Sequence, residues 1–107
     1  MSYAFPYSVP RPRINCTDGF HMSVQASVSH YCEPRDNQGP YESVEVGYPS
    51  KEEPLLAPYA EDPSQLTQTV YGWVPMHVIE EVIAKHGGAV EGYTWDQPGL
   101  PRSMKVI

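Results

Sequence analysis

Four side chains in the first third of the chain, Cys16, His21, His30 and Cys32, are the first that could do chemistry. Thiolate and imidazole are soft-metal ligands, and zinc sites pair them at spacings such as C-x2-4-C or H-x3-5-H. Here the run is C-x4-H, eight residues, then H-x-C, which matches no common knuckle. Strand alternation would put His30 and Cys32 on one side, the one pair able to share an ion. The competing reading is two buried structural thiols. A nucleophilic cysteine needs a nearby cation or a helix N-terminus to lower its pKa. Around Cys32 the charge is mixed, with Glu33, Arg35 and Asp36. No G-x-S-x-G turn offers a serine instead. Gly87-Gly88 follows a helical pattern, whereas a phosphate cradle precedes one. The expectation is no metal, no cofactor and no catalysis.

The acids come as neighbours: Glu52-Glu53, Glu61-Asp62 and Glu80-Glu81. Carboxylates that cleave glycosides must converge from separate elements at set distances. Adjacent pairs read as solvated surface charge. Among them lie the aromatics Tyr31, Tyr41, Tyr48, Tyr59, Tyr71, Trp73, Tyr93 and Trp95. Tyrosine and tryptophan are large, rigid and amphipathic, and they are enriched at protein interfaces. Half or more belong to a core. The rest, set among acids, describe a surface that binds protein better than they describe a catalytic pocket.

The elements that must hold these residues are short. Twelve prolines in 107 residues are more than twice the usual share of about 5%. That density forbids long helices and long central strands. Residues 1–12 read as an extended Pro-rich arm, 13–96 as one domain and 97–107 as an extended tail. Ile14 to Cys16 reads as a short strand, turned by Thr17-Asp18-Gly19. Phe20, Met22, Val24, Ala26 and Val28 then alternate with polar residues, which predicts a strand with its even positions inward. Val44, Val46 and Tyr48 predict a second such face, ended by Pro49. Residues 50–68 are a long connection with an apolar centre, Leu55 to Tyr59.

Val70 to Val74 predicts a further strand, running into a helix at Pro75. Val78, Ile79, Val82 and Ile83 form that helix's apolar stripe over about 12 residues. Glu80 and Glu81 point away from the stripe. Lys85 and His86 suit the carbonyl end, and Gly87 stops it. The run AVEGYTW, from Ala89 to Trp95, offers one more strand. The fold class is therefore α+β: an antiparallel sheet of four or five short strands, with the amphipathic helix packed on one face.

Residues 33–96 carry twelve of the thirteen acids against Arg35, Lys51 and Lys85, a charge of −9. The first 32 residues sum to +1 and the last eleven to +2. An acidic body argues against direct nucleic-acid binding, which needs basic residues to displace counterions. It favours a basic protein partner. No apolar run approaches the ~20 residues that span a membrane. MSYAFPYSVPRPR lacks the basic start and apolar block of a secretory leader, so a cytoplasmic protein with free thiols is expected.

The pattern VEVGYPS, EPLLAPYAED and TVYGWVPMHVIEEVIAKHGG resembles small accessory proteins of tailed bacteriophages and prophages, over about residues 13–88. Such proteins are often inhibitors of host defence, CRISPR and restriction included, and some cover a basic DNA-binding surface. The resemblance implies that context and transfers no functional residue. The partner-binding surface expected from the residues comprises Glu42, Glu45, Glu52, Glu53, Glu61 and Asp62, with Tyr41, Tyr48 and Tyr59 as anchors. The partner would be a host protein with a basic surface. Self-association through strand edges, as a homodimer or in virion assembly, and a small metal domain on Cys16, His21, His30 and Cys32 are the alternatives.

Overall fold

Alternation and turn chemistry build the sheet from its first hairpin. In the computed structural model, which describes residues 11–90, β1 (Ile14–Asn15) pairs antiparallel with β2 (His21–Gln25), placing Ile14 opposite Met22. Gly19, at φ +97°, closes the turn, where the Asp18 carboxylate accepts from the Phe20 N–H at 2.9 Å. β3 (Ser43–Gly47) lies against β2 with Val24 opposite Val46, and β4 (Val70–Pro75) lies against β3 with Val44 opposite Val74. The four strands run β1-β2-β3-β4, every neighbour antiparallel. Met22, Val24, Val44, Val46, Tyr71 and Val74 are fully buried and face one core.

The helix α1 (Met76–Lys85) adds Val78, Ile79, Val82 and Ile83 to that core, so the predicted stripe is the buried face. It has ten residues. Pro75 is its extended N-cap (ψ 147°) and the last residue of β4, one position earlier than its expected place inside the helix. At the far end Gly88 N–H donates to Ile83 O at 2.9 Å and Gly87 N–H to Ala84 O at 3.1 Å. That is a Schellman stop, made by Gly87 at φ +89°. The first hairpin's turn docks here: Thr17 N–H donates to Gly88 O, and Thr17 Oγ1 to Gly87 O, each at 2.9 Å.

Three expectations are corrected. The alternating run does not stay a strand to Val28. β2 stops at Gln25, because Ser27 Oγ accepts from the Ser29 N–H and His30 N–H donates to Ser27 O, folding the chain into a turn. Val28 is left outside. Gln25, expected to face water, is buried: its carboxamide accepts from Arg11 N–H and donates to Arg11 O, both at 2.9 Å. A side chain here does what a strand's backbone would do. Tyr48 leaves the Val44–Val46 face, with φ at +47°, and is half exposed.

The long connection is packed. Leu56 is fully buried, a 3-10 turn spans Ala57–Tyr59, and Ala60 bridges to Tyr71 along β4. Ala89 makes an isolated bridge to Cys16, and Val90 N–H donates to Asn15 O at 2.7 Å, so the start of the run expected as a last strand lies beside β1 without forming a strand among the described residues. Its remainder, residues 91–95, lies outside the described residues. So do the tail 97–107 and residues 1–10 of the arm.

Candidate functional site

The first four candidates are scattered. Cys16 bridges to Ala89 at the first hairpin, while His21 on β2 accepts from Arg13 Nε at 2.9 Å. His30 Nδ1 lies 2.6 Å from Ser27 Oγ, in the turn after β2, not on a strand. Cys32 Sγ donates to the carbonyls of Ser27 and Pro34. Among the described residues no three His, Cys, Asp or Glu side chains are placed to hold a metal ion together. Burial pushes the Cys16 thiol up to about 11, with the Asp18 charge adding to it, and burial also raises Cys32. Neither thiol is poised as a thiolate.

The acids divide. Glu52 is exposed, but its neighbour Glu53 is 1% exposed and leaves the expected binding surface. Its carboxylate accepts from Lys85 Nζ at 2.8 Å, from Leu55 N–H at 2.8 Å, and faces His86 Nε2 at 2.6 Å. The other ring nitrogen of His86 lies 2.7 Å from Asp18 Oδ2, and the ring stacks on Phe20 at 4.1 Å. Both nitrogens can donate only when the imidazole carries two protons. Burial would raise the Glu53 carboxyl, but the Lys85, Leu55 and His86 bonds together outweigh it and hold the group below its ordinary value. The cluster ties hairpin turn, long connection and helix end, so it is structural.

Tyr41 also leaves the surface. It is 4% exposed, with its hydroxyl donating to Asp36 O at 2.7 Å. Glu45 is half-buried and accepts from Tyr31 N–H at 2.9 Å. Glu42, Glu52, Glu61 and Asp62 are exposed, as is Tyr48, and Tyr59 is half-buried. Seven of the nine expected positions thus remain at or near the surface.

Two aromatics outside that set form the feature most like a site. Between the pairs Val44–Val74 and Val46–Tyr71, β3 has one residue, Glu45, and β4 has two, Gly72 and Trp73. This is a β-bulge. It places Trp73 at φ +50°, a conformation that costs a bulky residue roughly 1–3 kcal/mol. Strict alternation would send Trp73 to the buried side with Tyr71. The bulge turns it outward, half exposed.

Tyr31 holds it there: Trp73 N–H donates to Tyr31 O at 3.0 Å, and the rings stack with centroids 4.9 Å apart. A Cβ on Gly72 would sit 3.3 Å from Tyr31 Cβ, so glycine permits this approach. Tyr31, Tyr59, Glu61, Val70, Gly72 and Trp73 line an open groove of about 280 Å³. Glu61 is the one charged residue among them. Arg35 Cζ stands 5.5 Å from the Tyr31 ring centroid. A glycine inside a strand signals a bulge, and that signal at Gly72 could have singled out Trp73. Nothing local marks Tyr31, which comes from a distant turn.

Comparison with known protein families, curated proteins and solved structures finds no match to this chain.

Proposed function

We propose that this is a non-enzymatic accessory protein of the phage type that binds and blocks a basic host protein, in the manner of an anti-CRISPR inhibitor. The observation that carries the reading is a contrast. The thiols and the buried acid are sequestered in the fold, while Tyr31, Tyr59, Trp73 and Glu61 line one open groove beside β4 and Glu42, Glu52 and Asp62 stand exposed elsewhere. Rigid aromatics give area at low entropic cost, and the acids Glu42, Glu52, Glu61 and Asp62 supply charge complementary to lysine and arginine.

Strand-edge self-association has less to recommend it. β1 is met along its outer side by Ala89 and Val90, and β4 by Ala60, Glu61 and Tyr31. Paired edges of this kind offer few free backbone groups to a second copy.

The test is phage plating on a bacterial host with active CRISPR immunity. Expression of the wild-type chain should raise plating efficiency, and charge reversal at Glu52 and Glu61 together should abolish the rescue. A chain that leaves plating unchanged against several defence systems would refute the reading.

A further inference from the structure

We infer that the groove beside β4 is a seat for one arginine side chain of the partner. This deepens the proposed function and rests on it. Three observations converge. First, three of the six lining residues are aromatic, Tyr31, Trp73 and Tyr59, and the one charged residue is the exposed Glu61. A cation over such rings is attracted by their negative faces, and a carboxylate at the rim completes the charge match. Secondly, Tyr31 already meets a guanidinium within this chain, that of Arg35, whose Nε donates to His30 O at 3.0 Å. The same ring chemistry continues onto Trp73, which is half exposed and has room beside it. Thirdly, the volume of about 280 Å³ lies just below the roughly 300–1,000 Å³ of small-molecule sites. That suits a single inserted side chain.

Arginine fits better than lysine. Its flat guanidinium stacks on an indole and presents two parallel N–H groups to one carboxylate, whereas an ammonium is a compact, strongly hydrated point.

The experiment uses hexa-arginine, hexa-lysine and hexa-citrulline peptides, titrated into the full chain carrying Trp95→Phe. Trp73 is then the sole tryptophan, and its emission reports the groove. Hexa-arginine should change Trp73 emission saturably, hexa-lysine should bind several-fold more weakly, and the neutral citrulline isostere should leave the emission unchanged. Trp73→Gly and Glu61→Gln, followed by calorimetry, should each weaken hexa-arginine by about three- to thirtyfold. Glycine accepts a positive φ without strain, so Trp73→Gly removes the ring and keeps the bulge. Equal affinity of both variants and the wild type would overturn the assignment, placing the cation on other acidic loops. The broader reading would then still be judged by plating. Citrulline binding as tightly as arginine would overturn it as well, since the groove would be reading shape without charge.

Discussion

Glu52 and Glu53 are chemically identical neighbours with opposite fates. Glu53→Gln should cost about 2–3 kcal/mol, because it leaves Lys85 and His86 facing a neutral amide, softened by the partial exposure of Lys85. Glu52→Gln should stay within roughly 0.5 kcal/mol. Urea unfolding of the two variants side by side measures the difference. Cys16 and Cys32, 3% and 2% exposed and raised by burial, should resist iodoacetamide at neutral pH in the folded chain and react on unfolding. At this scale the sequence was least legible. A run of acids carries no mark of which member will meet a lysine 32 residues away, and Tyr41 differs from Tyr48 only in what the fold brings over it.

The glycines of the hairpin and of the helix stop separate two kinds of constraint. Gly19 and Gly87 both have positive φ, but a Cβ at Gly19 meets nothing, whereas at Gly87 it falls 2.2 Å from Thr17 Oγ1. Gly19→Ala should therefore cost about 1 kcal/mol for backbone strain alone. Gly87→Ala should cost more, about 2 kcal/mol, since the Thr17 hydroxyl must also turn away and give up its bond to Gly87 O. Thermal midpoints would rank them. Elements were the level best read from sequence: the stripe Val78-Ile79-Val82-Ile83 and the alternation Phe20-Met22-Val24-Ala26 are buried as periodicity requires. Two of the failures share one cause. Val28 and Tyr48 each continue an apolar rhythm in the chain, but the strand has already ended beneath them.

Across the molecule, acid should undo what the carboxylates hold. Glu53, Asp18 and Asp36 all ionise below their ordinary values of 4.5, 3.8 and 3.8. For Glu53 burial is outweighed by the bonds to Lys85, Leu55 and His86; for Asp18 and Asp36 the chief cause is a backbone N–H, from Phe20 and from Gly39. The folded chain therefore binds fewer protons than the unfolded one in this range. The stability these three groups contribute is complete above the ordinary carboxylate values and is lost as pH falls through the lowered ones. Circular dichroism melts from pH 6 downward should show midpoints steady to about pH 5 and falling below about pH 4, with Glu53→Gln flattening the slope. Arg11, which composition assigns to the extended arm, is buried. Gln25 clasps both backbone groups of Arg11, so a chain trimmed to start at Arg13 would strand a buried carboxamide without the partners that Arg11 supplies. The shortest sound version of this protein has to retain Arg11.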